Sequence, residues 1–256
     1  APAPPEIYTY TESSAASDVY KRQDNAKAGS LFRQAAELDP NFAAASAGIA
    51  WVQYFDLVNQ WAESPARAIE ELKQAAQRGV ALDSADPFCQ LALASACLLD
   101  GKADEAEAAF ERAIQLNPSF AVAHYFLGSW LARWARPEDA IEKIEKAIRL
   151  SPKDPVIHFF YYSLALAHFA AERYEEAVAW SRKSLQARGD YYLALATLAA
   201  SLAHLGRIDK AKAAAEELLQ LNPEFTLADL GRFLTGADPE FRERYIDGLR
   251  KAGLPE

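Results

Sequence analysis

The sequence predicts an all-α fold, a solenoid of short two-helix units stacked side by side. Three observations predict it. The stretch from Ala121 to Asp154 holds two amphipathic patterns parted by a break at Ala135-Arg136-Pro137. Small residues recur in it at Gly128, Ala140 and Ala147, where two helix backbones can approach, with Leu127, Leu131 and Ile144 to fill the gaps. The stretch also has copies: 34 residues earlier, Leu93, Ala106, Ala113 and Pro118 stand for Leu127, Ala140, Ala147 and Pro152. A two-helix unit this short cannot bury its apolar face alone, so a copy on each side completes the core.

The elements follow in order from this register. Residues 24–42 read as the second half of a repeat, with Ala28, Phe32, Ala35 and Pro40 in the places of Ala140, Ile144, Ala147 and Pro152. The next repeat, residues 43–86, is about ten residues longer than the common period. Its first helix is expected to run on to about Asn59, and Ser64-Pro65 to open the second, Ser as cap and Pro in the first turn. Asp86-Pro87 opens the repeat at 87–120. Asp100-Gly101 is its turn, and Asp104-Glu105 place acid at a helix start, where the macrodipole favours it. The repeats at 121–154, 155–191 and 192–225 follow, Gly189 replacing a closing Pro and Gly206 marking the last turn. Ala177 and Ser184, then Ala211 and Leu218, keep the small-residue register. The tail, 226–256, breaks the period. It predicts a short helix at Leu227–Phe233 and a longer one at Pro239–Ala252, opened by Asp238-Pro239 and closed by Gly253. Its stripe of Phe241, Tyr245, Ile246 and Leu249 is expected to cover the open end of the stack, as terminal caps do.

Period, small-residue positions and closing prolines together resemble the tetratricopeptide repeat family. The resemblance implies a right-handed superhelical solenoid of helix-turn-helix repeats with a C-terminal helical cap. It implies no particular activity, since such scaffolds serve many unrelated systems. Residues 1–23 stand apart, with no period and no copy. Ser13 to Gln23, SSAASDVYKRQ, resembles a transposase sequencing adapter translated in frame, and Glu6-Ile7-Tyr8-Thr9 the end of the primer that precedes it. On that reading the lead is non-native or disordered and overwrites the first helix of the opening repeat. The chain is then a piece of a longer protein, which the absence of any Met also implies.

Composition narrows the function classes. A net charge of −9 argues against nucleic acid and against an anionic membrane surface as partner. No apolar run approaches the roughly 20 residues of a membrane span, and the N-terminus lacks the order of a secretion signal. Cys89 and Cys97 lie eight residues apart on one helix. That puts them roughly 12 Å apart along its axis, beyond disulfide reach. Two reduced thiols suit a cytoplasmic chain.

Catalytic patterns are not found. His124, His158, His168 and His204 fall in different repeats without metal-ligand spacing. The cysteines form no C-x-x-C pair. Glu142 and Lys146 are a helix-surface pair contributing about 0.2–0.5 kcal/mol. There is no Gly-rich phosphate loop and no nucleophile elbow. The expectation is therefore no catalytic residue, no cofactor and no metal.

The family resemblance implies that first helices line a concave groove. Carried onto this sequence, the lining is Trp51, Tyr54 and Phe55; Phe88, Leu91, Ser95, Leu98 and Leu99; Val122, Tyr125, Ser129 and Arg133; Phe159, Tyr162, Leu166 and Phe169; then Leu193, Ala196, Ala200 and His204. Repeats that grip acidic chaperone tails carry Lys, Arg and Asn there. Tyr125 and Ser129 stand at such positions here, which speaks against that activity. An aromatic and aliphatic groove suits an amphipathic helix or an extended apolar segment of a protein partner. The alternative is that the cap or a missing N-terminal part fills it, since large exposed apolar patches are uncommon. Three segments also resemble the C-terminal repeat region of bacterial nucleotide cyclases and winged-helix regulators: residues 24–51, the Leu202–Arg207 turn, and ADPEFRERYIDGLRKAGLPE at the end. This implies the regulatory arm of a signalling protein or, alternatively, an accessory region of a cyclase whose catalytic domain lies outside this chain. Homo-oligomerisation is left open.

Overall fold

The computed structural model describes residues 14–59, 61–134, 136–234 and 237–256. Residues 1–13 of the adapter-like lead lie outside the described residues, while 14–23 form the first turns of a helix. Among the described residues there are thirteen α-helices and no strand. They are α1 (Ser14–Leu38), α2 (Ala43–Val58), α3 (Pro65–Leu82), α4 (Pro87–Leu99), α5 (Ala103–Leu116), α6 (Ala121–Arg133) and α7 (Pro137–Leu150). The rest are α8 (Ile157–Ala170), α9 (Tyr174–Ala187), α10 (Tyr192–His204), α11 (Ile208–Leu221), α12 (Leu227–Phe233) and α13 (Pro239–Lys251). The all-α helix-turn-helix fold is the one expected. The chain divides into two compact units, Ala1–Ala106 and Glu107–Glu256, the boundary falling within α5.

In the first unit α2 packs on α1 and α3, and α3 on α4. The core there is built from small residues, Ala43, Ala47, Ala50, Ala76, Ala92 and Ala96, around Leu72 and Cys89. Alanine at these positions lets helix axes draw close without voids, and Leu72 fills the space that remains. The long loop of this repeat does what its punctuation predicts: α2 runs to Val58, Asn59 caps it, and α3 begins at Pro65. Ser64 takes the cap position, but its hydroxyl makes no capping hydrogen bond. Asp86 does cap α4, its carboxylate accepting from the Phe88 amide at 2.7 Å and the Cys89 amide at 3.0 Å.

In the second unit the hairpins α6–α7, α8–α9 and α10–α11 form side by side. Gly128 marks the closest approach. A Cβ there would stand 2.6 Å from Ile144 Cγ1 and 3.0 Å from the Ala140 carbonyl oxygen, so only glycine admits α7 at this spacing. The α4–α5 and α10–α11 turns close on a glycine in the left-handed region, Gly101 at φ 69° and Gly206 at φ 71°. In the α8–α9 turn that place is held by Glu172, at φ 58°. Asp238 caps α13 by accepting from the Phe241 amide at 2.9 Å.

Candidate partner-binding faces

In the first unit the predicted lining residues of α2 and α4 divide by exposure. Trp51, Tyr54, Phe55 and Phe88 are half-buried and form one aromatic group. Trp51 stacks on Tyr54 with centroids 5.7 Å apart and 18° between planes. It meets Phe55 edge-on at 5.3 Å and Phe88 at 5.9 Å. The cluster follows from the i, i+3 and i+4 spacing of residues 51, 54 and 55 on one helix face, with Phe88 brought in by α4. Further along α4, Leu98 is half-buried and Leu99 exposed. Leu91 and Ser95 are buried, and the Ser95 hydroxyl is turned inward to donate to the Leu91 carbonyl at 3.1 Å. These two belong to the core rather than to a surface.

In the second unit Tyr125, Ser129, Arg133 and Phe159 are half-buried. Tyr125 stacks on Phe160 at 4.6 Å, and Arg133 Nε donates to the Ser129 carbonyl at 3.3 Å. Phe159 and Tyr162 both meet the ring of Tyr191 edge-on at 5.2 Å. Tyr162, Leu166 and Phe169, also predicted to line the groove, are buried at 6%, 2% and 0% exposure. Burial pushes the Tyr162 and Tyr191 hydroxyls well above the usual phenol range.

Phe169 is covered by α13. The Phe169 ring is met edge-on by Tyr245 at 4.9 Å and by Phe241 at 6.0 Å. The Thr197 hydroxyl donates to the Leu193 carbonyl at 3.1 Å, which leaves its oxygen to accept from the Tyr245 hydroxyl at 2.6 Å. His204 Nε2 donates to the Arg244 carbonyl at 2.8 Å. Arg244 Nη2 donates to the Ala170 carbonyl at 3.0 Å, and its Nη1 lies 3.4 Å from Glu172. The Asp238 amide donates to the Arg133 carbonyl at 2.8 Å. Arg133, Ala170 and Thr197 sit on α6, α8 and α10, the first helices of three successive hairpins. The tail therefore caps the last hairpin and also reaches across the first-helix face. Gly248 is what lets it sit so low: a Cβ there would be 2.9 Å from the Ala200 oxygen and 3.0 Å from its Cα. Of the predicted stripe, Phe241, Tyr245 and Leu249 are buried, while Ile246 is only half-buried.

A cleft of about 360 Å³ in the first unit is lined by Arg22, Arg33, Arg67, Asp56, Glu63 and Glu71, so its charges balance. Within it Arg33 pairs with Glu71 at 2.7 Å, and Gln53 donates to the same carboxylate at 2.9 Å. His124 donates from Nε2 to the Pro118 carbonyl at 3.1 Å, and burial lowers its pKa, as it does that of His168. His204 stacks on Tyr174 with 11° between planes. Burial first, then Asp86 and Asp83, push the Cys89 thiol up to about 12. Among the described residues no group of three or more His, Cys, Asp or Glu could hold a metal ion, and no helix is long and apolar enough to cross a membrane.

Two family models, both described as tetratricopeptide repeat, match residues 62–119, 91–155, 160–191 and 192–225. The chain belongs to the tetratricopeptide repeat family. No curated protein is a detectable relative. Among solved structures the chain is similar to YrrB, a TPR protein with an unusual peptide-binding site, at 17% identity and a TM-score of 0.51, over 75% of this chain and 93% of that one. It is similar to Pseudomonas aeruginosa pilF at 20% identity and 0.58, over 80% and 88% of the two chains. For PilW, a type IV pilus biogenesis factor, the values are 16% identity and 0.61, over 77% and 90%. At such identities the likeness bears on the fold. The sequence offered the cap as one filler of the groove, and what it did not disclose is the set of contacts that α13 makes there, with Phe169, Thr197 and Ala200. A local signal was Gly248, a helix-weakening residue in the middle of an otherwise continuous amphipathic pattern.

Proposed function

We propose that this chain is a non-catalytic protein-interaction scaffold, and that a partner segment binds the aromatic face of α2 and α4 through Trp51, Tyr54, Phe88 and Leu98. The observation that carries this is the grouping of four half-buried rings on one face of a tetratricopeptide scaffold. Rigid aromatic side chains offer large contact area at little cost in rotamer entropy. The peptide-binding site of YrrB supports the reading by analogy of fold. In the second unit Tyr125, Ser129, Arg133 and Phe159 form the corresponding half-buried set. The test is partner capture by the full chain against Trp51→Ala/Phe88→Ala, with helical content checked by circular dichroism. Loss of capture with the helices intact supports the face; equal capture refutes it.

The same proposal gives the module its setting. It acts in the cytoplasm as the regulatory arm of a larger bacterial signalling protein, or as the accessory region of a nucleotide cyclase. The supporting resemblance lies in residues 24–51, the Leu202–Arg207 turn and the closing ADPEFRERYIDGLRKAGLPE. Residues 1–23 are adapter-derived on this proposal. Sequencing the gene across the codon for Asp24 tests both statements: an uninterrupted native repeat upstream removes the adapter reading, and the domain encoded beyond it decides the parent.

A further inference from the structure

The first-helix face of the second unit already holds a helix. α13 is attached to it in the manner of a ligand rather than of a repeat. It lies outside the repeat period. It touches the face with anchors at intervals of one turn, Phe241, Tyr245 and Leu249, at exposures of 1%, 1% and 0%. Glu240, Arg242, Glu243, Arg250 and Lys251 all remain exposed. This is the geometry of an amphipathic helix laid into a groove, with anchors four residues apart. The groove is shaped for it: Phe169 supplies a ring wall, Thr197 a polar contact to the Tyr245 hydroxyl, and Ala200 a flat floor on which Gly248 rests. The clasps beside the apolar anchors are few and polar: the half-exposed Arg244–Glu172 pair at 3.4 Å, the Arg244 bond to the Ala170 carbonyl at 3.0 Å, the His204 bond to the Arg244 carbonyl at 2.8 Å and the Asp238 amide bond to Arg133 at 2.8 Å.

We propose that this face is a helix-binding groove for which α13 is the built-in competitor. Its ligand in trans is an amphipathic helix with aromatic side chains at its first and fifth positions, a small residue at the eighth and leucine at the ninth. The register is that of Phe241, Tyr245, Gly248 and Leu249. The glycine place is selective because any Cβ there meets the Ala200 backbone, which cannot rotate away. This inference rests on the reading of the chain as an interaction scaffold, but on a different face from the Trp51 cluster.

The probe is a fluorescein-labelled synthetic peptide of residues 237–254, added to the full chain and to the full-chain variant Phe241→Ser/Tyr245→Ser/Leu249→Ser. The variant is expected to bind the peptide at least tenfold more tightly than the wild type does. The same peptide carrying Gly248→Leu should bind the variant at least tenfold more weakly. In the wild-type chain, hydrogen exchange of α13 amides is expected to be at least tenfold faster than that of α10 amides, because release of α13 leaves α10 folded. Equal protection of α13 and α10 overturns the proposal, as does a variant that loses cooperative unfolding or stays folded and fails to bind. Each of those outcomes makes α13 a fixed part of the core. None touches partner capture through Trp51 and Phe88, so the two readings fail separately.

Discussion

Replacing Gly248 by alanine sets two opposed effects against each other at one atom. In an isolated helix the change favours α13 by about 1 kcal/mol, since glycine is a poor helix former. Docked on α10, the new methyl group stands 2.9 Å from the Ala200 oxygen and 3.0 Å from both the Ala200 Cα and His204 Cδ2. Two of these three are backbone atoms of a fully buried residue, so the relief must come from α13 moving outward by about 0.5 Å. Such a gap forfeits a quarter or more of the dispersion attraction at each contact it opens, and overpacking of this kind costs about 1–3 kcal/mol. Phe241, Tyr245 and Leu249 all lie on the side that lifts, together with the 2.6 Å bond from Tyr245 to Thr197. The sum is a net loss of about 1 kcal/mol, equivalent to roughly 2–4 °C in Tm for a chain of this size. Urea denaturation followed by circular dichroism measures it, with hydrogen exchange to show that the loss is confined to α13. Gly189→Ala is the control: its nearest neighbour is the Leu185 oxygen at 3.8 Å, so it is expected to be neutral or to gain about 0.4–1 kcal/mol. A Gly248→Ala protein as stable as the wild type would refute the reasoning, because helix propensity would then outweigh the contact.

Gly128→Ala follows the same logic inside a hairpin. With Ile144 Cγ1 at 2.6 Å and the Ile144 amide nitrogen at 3.1 Å, it is expected to lose about 1–3 kcal/mol in chemical denaturation. Tyr245→Phe removes one buried donor while Thr197 keeps its bond to the Leu193 carbonyl, so the expected cost is about 1 kcal/mol in the same assay. His124 and His168 both have lowered pKa values in the fold, mainly through burial. The unfolded chain therefore takes up their protons first, and stability is complete above the ordinary histidine value of about 6.5 and falls as pH drops below it. Unfolding at pH 7.5 and 5.5 checks this, and His124→Gln should flatten the difference. Cys89, pushed up to about 12, and Cys97, raised chiefly by burial, should resist iodoacetamide at pH 8 until denaturant is added. Labelling of either at native-state rates typical of free thiols would contradict that.

Much of the fold was legible because a repeat writes the same packing problem several times. Ala140, Ile144 and Ala147 are buried for the reason that Ala106, Phe110 and Ala113 are, and the spacing discloses both. Helix ends marked by Asp86-Pro87 and Asp238-Pro239 were legible as well, since a capping carboxylate before a first-turn proline has a local signature. The groove was only partly legible. Positions two, five and nine of a first helix indicate which way a side chain points, not what lies against it. Tyr162, Leu166 and Phe169 are buried, Phe169 against the rings of Phe241 and Tyr245 more than seventy residues away in sequence. Leu91 and Ser95 were read as lining from the same rule, although the close packing of alanine-rich helices leaves no surface at their position. No periodicity in α4 or α8 carries that information, because it belongs to the neighbour.

Glu172 ties these observations together. It occupies the left-handed turn position that Gly101 and Gly206 hold elsewhere. A side chain there costs on the order of 1 kcal/mol relative to glycine. The return is a carboxylate facing Arg244 of α13 at 3.4 Å, beside the bond that the same guanidinium makes to the end of α8. A half-exposed pair of this length contributes about 0–1 kcal/mol, so strain and attraction nearly cancel in stability. What does not cancel is direction. The strain is present whether or not α13 is docked, and the attraction exists only when it is. Glu172 thus biases the docked state without stabilising the repeats themselves, and glycine, the residue at 101 and 206 in the α4–α5 and α10–α11 turns, would leave the fold intact while loosening the helix that covers its inner face.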